Sequence, residues 1–597
     1  MIMQQRSEVF ALLDDCDSTA ERRSSRLYAS FLHERSCHDA AQLDEVCASV
    51  GADLHDGLHA VVLADYEFGR NLQLAQPGEA ALRFLLFREC TLLSRGEANQ
   101  WLATRDNGLA DQPSVAGVAN IEASVSRDAY EQAIAAVQEA LHAGDSYQIN
   151  YTFRLAFDVF GSIVGLYRRL RERQPVRYGA LIALPDGRDV LSCSPELFIQ
   201  RQGDVLRARP MKGTAPRSAD PEWLRLDPKN RAENVMIVDL LRNDMSRVAV
   251  TGSVQVPRLF SVEPYKSVWQ MTSTVEARLL LNTTFADILR ALLPCGSITG
   301  APKHKTMQLI DALESTPRGI YTGAIGWIET SRDFCLSVPI RTLEIQQGRG
   351  KMGVGGGIVL DSVAADEFEE CQLKARFLTG SDPGFDLFET TFATKEQGIR
   401  HWDRHRSRLE TSAKWCGFPL DLELLQKRVD ETCAGFEAEA GYRLRIALGK
   451  SGEITVTSAR LVPLAAPTVD VLQASEHGFA ARSADDPLLR HKTTSREEYD
   501  RAWREAESLG AFDMLFFNER GELTEGGRSN VFVKLDGRWI TPPLDAGLLP
   551  GVMRGVLIEE LGAEERTLTR EDLDRAESLM ICNALRGAVP ARLKLLS

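Results

Sequence analysis

A break at residues 379 to 386, TGSDPGFD, places Gly, Ser, Asp and Pro directly after a strong helical pattern, and residues of these types end helices and open turns. It divides the 597 residues into a segment 1–380, too long for a typical single domain, and a segment 384–597 of more ordinary size. One small module is excluded. Hydrophobic residues make up 44% of the chain and charged residues 26%, so both segments can bury cores, and disordered or low-complexity readings fall away. The net charge of −14 works against broad binding to nucleic acid or an anionic membrane, while leaving room for local basic sites that take small anions.

The eleven cysteines include no C-x-x-C pair and no dense cluster, which disfavours metal ribbons and disulfide scaffolds. No apolar run is long enough to span a bilayer. Together these features predict a reduced, cytoplasmic enzyme.

Periodicity predicts helices over 127–143, 229–244, 302–314 and 364–378 of the first segment, with YGALIAL, VLSCSPELFIQ, TGAIGWIE and CLSVPIRTLEIQ as strands. Long strands between clustered helices suggest an α+β sheet sandwich. The second segment mixes β runs, RLRIALG and NVFVKL, with helices near 402–416, 496–508 and 551–561.

Chemistry-bearing residues gather in both segments. In EFEECQLKARFL, Glu367, Glu370 and Lys374 recur at helical spacing opposite Phe368, Cys371 and Leu378. This pattern fits a solvated face with a Glu370/Lys374 pair, and equally one wall of a site. The preceding KMGVGGGIVLDS offers bare backbone for close approach of a ligand. Glu233 begins another helix, KNRAENVMIVDLLRND. If the two helices converge, their carboxylates make an oxygen-rich site suited to magnesium.

Seven strings occur in order: SPELF, RPMKGT, RAENVMIVDLLRND, GSITGAPK, YTGAIGW, IRTLE and GGGIVLDS. Over roughly 120–380 the chain resembles the chorismate-utilising enzymes, most closely the component I type of aminodeoxychorismate synthase. The resemblance implies their β-sandwich with peripheral helices, and chorismate as substrate. It implies Mg2+ bridging Glu233 and Glu370 to the ring carboxylate, with Glu367 supporting through water. Tyr321, Arg341 and Lys374, together with Thr299 and Gly356, would bind the substrate, whose two carboxylates call for Arg and Lys partners. Glu196 would be the general acid for the departing C4 hydroxyl, a task that requires a raised pKa.

Lys212 distinguishes members of the family. Anthranilate synthases resemble this chain but carry Ala there, whereas in the aminodeoxychorismate type the lysine is held to attack ring C2 before ammonia enters at C4. That requires a neutral amine, and so burial or a cation to lower its pKa from about 10.4. Members that add water use a basic lysine near Gln148, which cannot act as one. Gln270 stands where anthranilate synthases have His. No cysteine lies in a Gly-Cys-x-Gly setting, so ammonia is expected from a separate glutamine amidotransferase subunit.

The second segment carries LFETTFA, HRSRLETSAKWCGFP, HKTTSREEYDRA, GELTEGGRSNVFV, LLPGVMRG and ICNALRGAVP. It resembles the class IV pyridoxal-phosphate enzymes, a group that includes aminotransferases and aminodeoxychorismate lyase, although the usual strand before LFET is truncated. The resemblance implies a two-subdomain α/β fold and a homodimer formed through this part. Lys492 would be the Schiff-base lysine of pyridoxal 5'-phosphate, and Glu525 the partner of the pyridinium nitrogen. Arg408 would hold the phosphate together with the amides of Val552 and Met553, and Asn583 to Gly587 would close the pocket. A synthase making aminodeoxychorismate and a lyase consuming it share an intermediate, which points to p-aminobenzoate and hence folate synthesis. The alternatives are an anthranilate-type synthase joined to an amino-acid aminotransferase, and a non-catalytic binder of chorismate or pyridoxal phosphate.

Overall fold

The computed structural model describes residues 8–76, 78–109, 111–264 and 268–594. The chain forms two compact units with their boundary between Ser381 and Asp382, apart from Gly117–Asn120, which group with the second. Among the described residues no helix is long and apolar enough to cross a membrane.

The first unit is built on one extended, 18-stranded sheet system. Its site-bearing elements, in chain order, are helix α1 (Arg127–His142), strands β1 (Gln148–Gly161), β2 (Arg188–Ser194), β3 (Leu197–Gln202) and β4 (Met211–Pro216), helix α2 (Pro228–Ser246), strand β5 (Arg349–Ile358) and helix α3 (Ala364–Thr379). β1 and β5 pair antiparallel along their length, which sets Gly355, Gly356 and Gly357 opposite Thr152, Tyr151 and Asn150.

Two helices are anchored so that their carboxylates stay at the rim. α2 buries Ile237, Val238, Leu241 and Met245 in the core with Leu206, Ala208 and Val275, and Glu233 precedes this apolar stripe. α3 buries Cys371, Ala375 and Leu378, while Phe368 packs on Tyr130 of α1, ring centroids 5.2 Å apart. The opposite face of α3 carries Glu367, Glu370 and Lys374.

Two of the strands predicted as continuous are interrupted. VLSCSPELFIQ divides into β2 and β3 around Pro195, and CLSVPIRTLEIQ divides into Phe334–Ser337 and Thr342–Gln346 around Pro339. Proline has no N–H to give a ladder and is excluded from central strand positions. The two interruptions are neighbours: Val338 N donates to Glu196 O at 3.1 Å, and Ser194 Oγ donates to Val338 O at 2.5 Å.

The second unit has a four-stranded sheet and an eight-stranded mixed sheet. In the smaller sheet β6 (Leu387–Thr394) pairs antiparallel with β7 (Tyr442–Leu448), and helix α4 (Trp402–Cys416) packs on β6. The larger sheet contains β8 (Leu523–Gly526), and helix α5 (Val552–Leu561) packs against one of its strands, Ser578–Asn583.

Candidate active sites

The paired interruptions of the first unit free Glu196 and Arg341 from the ladder. Glu196 is buried, and Ser297 Oγ donates to its Oε1 at 2.8 Å. Burial pushes the Glu196 carboxyl up to about 7, against the pull of the Ser297 hydrogen bond and the Lys212 charge. Arg341 adopts the left-handed region at φ 52°, and its carbonyl accepts from Cys193 N at 3.1 Å.

Lys212 on β4 points toward β1 and β5. A Cβ on Gly357 would stand 3.4 Å from Lys212 Nζ and 2.6 Å from Gln148 Nε2, so glycine leaves the space in which these side chains converge. Gln148 is 1% exposed and neither atom of its amide has a partner. A buried amide with both ends unpaired is costly unless a ligand satisfies it. The charged groups acting around Lys212 are Glu196, Glu233 and Glu370. Lys229 of α2 is a second cation acting on the Glu233 and Glu370 carboxylates.

Gln270 braces this strand: its Nε2 donates to Gly213 O at 2.8 Å and its Oε1 accepts from Thr214 Oγ1 at 3.0 Å. The amide thus fastens the two residues after Lys212, a structural task distinct from acid–base chemistry.

Glu367 and Glu370 lie near enough to act electrostatically on Glu233. Burial raises Glu233, Lys212 and Lys229 oppose this, and Glu367 and Glu370 add to it. Lys374 holds Glu370 below the usual range through a 2.8 Å ion pair, and it also donates to Gly355 O at 2.9 Å. Ser362 Oγ donates to Glu367 Oε1 at 2.7 Å, and a Cβ on Gly356 would stand 3.1 Å from Glu367 Oε2. The carboxylates do not form a closed cage: among the described residues the one trio of candidate ligands drawn within 4.8 Å is Asp15, Cys16 and Asp17. An all-oxygen donor set with repulsion raising Glu233 nevertheless fits a magnesium ion that keeps several waters.

Tyr321 packs against β5 at Gly353, and Thr299 O accepts from Asn150 N on β1 at 2.8 Å. A Cβ on Gly353 would fall 2.1 Å from Tyr321 Cδ1, so β5 admits the ring only where it has glycine, and burial pushes the phenol up to about 12. The Thr299 hydroxyl is taken up by the carbonyls of Cys295 and Gly296 at 3.1 and 3.2 Å. Beneath them, buried Arg318 pairs with Glu314 at 2.7 Å and donates to the carbonyls of Ile298 at 2.9 Å and Asn150 at 2.7 Å. Sequence reasoning missed Ser297 and this network; the GSITG string held the first, and no local signal marked the second.

In the second unit Lys492 lies with its ammonium 4.6 Å from the Phe388 ring centroid. Burial lowers it to about 7, helped by Arg496 and Arg408 and opposed by Glu389 and Glu525. Glu525, on β8, is buried, and Asn530 Nδ2 donates to it at 3.2 Å. Burial pushes this carboxyl up to about 7, and a pyridinium would supply a cation beside it.

Arg408 is already paired: it grips Glu389 through Nε at 2.9 Å and Nη2 at 2.5 Å, and its Nη1 donates to Pro550 O at 3.0 Å. The guanidinium therefore stands at the start of α5, whose N-cap Gly551 supplies no side chain to its first amides. Val552 and Met553 open that helix. A Cβ on Gly551 would fall 1.9 Å from Asn530 Oδ1. Glu389 and its buried neighbour His405, 2.7 Å away, escaped the sequence reading. Burial favours protonation of Glu389, but Arg408 and His405 outweigh it and hold the carboxyl at about 2. The turn after Asn583 is closed by Arg586 N donating to Asn583 Oδ1 at 2.8 Å. A low-pKa lysine, a buried acid and uncapped helix amides with an arginine fit pyridoxal phosphate.

The chain belongs to the chorismate binding enzymes, which it matches over residues 5–380. Residues 386–593 match the class IV amino-transferases. Over 256 residues, 42% of this chain and 56% of its relative, it is 46% identical to the aminodeoxychorismate synthase component 1 of Klebsiella aerogenes. Over 274 residues, 45% of this chain and 54% of the relative, it is 37% identical to the anthranilate synthase component 1 of Streptomyces coelicolor. The chain spans a little over half the length of either curated relative. The menaquinone-specific isochorismate synthase MenF of Escherichia coli shares the fold, with a TM-score of 0.50 at 17% identity, covering 63% of this chain and 89% of that one.

Proposed function

We propose that this chain makes p-aminobenzoate from chorismate in two steps, amination at C4 by residues 1–380 and removal of pyruvate by residues 384–597. The observation that carries the first step is the convergence of Lys212 with the unpaired Gln148 amide over Gly357. In this reading Lys212 Nζ adds at ring C2 and Glu196 gives its proton to the C4 hydroxyl as that leaves. Ammonia then bonds to C4 and Lys212 departs from C2. Glu233 and Glu370 would hold magnesium, with Glu367 assisting through water, and the ion would neutralise the ring carboxylate. Tyr321, Arg341 and Lys374 are assigned to the substrate carboxylates, with Thr299 and Gly356 shaping the cavity.

In the second step Lys492 anchors pyridoxal phosphate covalently, and the cofactor when bound serves as an electron sink. Once the substrate amine has displaced it from the cofactor, the freed Lys492 Nζ would take the proton from ring C4 as the C3–O bond to the enolpyruvyl group breaks, and would pass it to the departing pyruvate, a task for which a pKa near 7 suits it. Glu525 keeps the pyridine nitrogen charged, and Arg408 with the amides of Val552 and Met553 holds the phosphate. To the same reading belong the sandwich form of the first unit, the two subdomains and homodimer of the second, an amidotransferase subunit as ammonia source, and a cytoplasmic setting.

Lys212→Ala tests the assignment. Aminodeoxychorismate formation should be lost, with any residual amination appearing at C2; unchanged p-aminobenzoate output would overturn it.

A further inference from the structure

We infer that the first unit takes in its ammonia through a cavity walled by Tyr66, Glu67, Glu314 and Arg318, from which a buried polar row on β1 leads to Gln148 and Lys212. This rests on the amination reading above and deepens it, since no residue has yet been assigned to the second substrate of that step.

The cavity measures about 250 Å³ and lies between the helix Tyr66–Leu74 and the segment that follows the helix Lys303–Leu313. Ser315 and Pro317 are exposed at its rim, and Tyr66 and Arg318 are buried in its wall. The charged groups are already matched. Arg70 pairs with Asp311, and Glu314 takes Arg318 at 2.7 Å and Arg154 at 3.2 Å. Glu67 accepts from the backbone N–H groups of Arg318 at 2.6 Å and Gly319 at 3.0 Å. The Tyr66 hydroxyl is the exception: the residue is 2% exposed, and its oxygen has no partner among the described residues. A buried hydroxyl left unpaired costs free energy that a ligand can recover. With the charges matched and one hydroxyl open, the cavity suits a small neutral molecule that donates and accepts hydrogen bonds.

The inner wall is bonded directly to β1. Glu314 Oε1 accepts from Thr152 N at 2.8 Å and from Thr152 Oγ1 at 2.9 Å. Arg154 Nε donates to Pro317 O at 3.1 Å, and Arg318 Nη2 donates to Asn150 O at 2.7 Å. Alternate residues of a strand share a face, so Gln148, Asn150, Thr152 and Arg154 stand in one row, and all four are buried. The other face carries Ile149, Tyr151 and Phe153, also buried, with the Tyr130 ring centroid 5.6 and 5.8 Å from the two aromatic rings. A strand buried on both faces ordinarily reads as apolar throughout. Here one face stays polar from the cavity wall to Gln148, whose amide lacks partners where it converges with Lys212 over Gly357. The row from Thr152 to Gln148 is four residues long, about 13 Å.

Ammonia has the chemistry this path requires. Its lone pair accepts from the Tyr66 hydroxyl, and its N–H groups reach carboxylate, hydroxyl and amide oxygens in turn. Ammonium would meet the guanidinium groups of Arg154 and Arg318, whose charge opposes a second cation. The path therefore favours the neutral base, which is the form able to bond to C4.

The test follows amination of chorismate by the full chain with ammonium chloride as nitrogen source. Tyr66→Phe deletes a hydroxyl that no protein group uses, so the fold should hold, and KM for ammonia should rise about threefold to tenfold. Ser315→Trp, which fills the rim, should raise it further. In both variants KM for chorismate and turnover of preformed aminodeoxychorismate should stay parental, a split that general loss of structure does not produce. Should Ser315→Trp not fold, Tyr66→Phe decides alone. A parental ammonia KM in Tyr66→Phe would overturn the inference, as would an equal rise in the KM for chorismate. A parent that forms no aminated product would overturn the amination reading, and this inference with it.

Discussion

Ser297 Oγ donates a 2.8 Å hydrogen bond to Glu196 Oε1 across 101 residues of sequence, and both residues are buried. The bond favours the ionised carboxylate, and burial opposes it more strongly, leaving the group near 7. A general acid works in its protonated form, so the chorismate-consuming rate should be full below about 7 and fall as pH rises through it. Ser297→Ala removes a contact that lowers the pKa, so the alkaline limb of kcat/KM should move upward by about one unit. A pH profile whose limb stays fixed or moves downward would contradict the assignment of Glu196.

Glu367 and Glu370 raise the cost of charge on Glu233, and the proposed substrate adds a further carboxylate. Chelation should therefore stop chorismate amination, and Glu370→Gln should weaken magnesium binding by about tenfold or more, measurable by calorimetry on the full chain. Turnover of preformed aminodeoxychorismate should continue in chelator. Parallel loss of both activities would contradict the placement of the ion.

Arg318 is fully buried, with Glu314, Ile298 O and Asn150 O as partners, and Glu314 also takes Arg154 at 3.2 Å. Arg318→Met strands two carbonyls and half of a buried ion network, which should destabilise the first unit by about 3 kcal/mol or more. Thermal unfolding should show an earlier transition in that unit, while cofactor absorbance of the second persists. An unchanged melting profile would show that the network is dispensable.

Much of this molecule was open to reading from residues alone. The helix predicted over 402–416 spans Trp402–Cys416, and that predicted over 364–378 spans Ala364–Thr379, because each carries a 3.6-residue apolar stripe and ends at a glycine. The strand interruptions at Pro195 and Pro339 were not read, since the flanking residues remain β-rich and only the neighbouring ladder reveals that both breaks fall together. Lys212 and Lys492 were singled out by resemblance; nothing local distinguishes either from a surface lysine. The grip of Arg408 on Glu389 and the bond from Ser297 to Glu196 both depend on elements distant in sequence, where periodicity carries no information.

The central claim, one chain aminating chorismate at C4 and then releasing pyruvate, is tested most directly by product analysis on chorismate and ammonium salts, comparing the parent with Lys492→Ala. The parent should release p-aminobenzoate and pyruvate in equal amounts. The variant should lose the bound-cofactor absorbance and accumulate aminodeoxychorismate at a near-parental rate, since Lys212 and Glu196 are untouched. Anthranilate from the parent, or p-aminobenzoate from the variant at the parental rate, would contradict it.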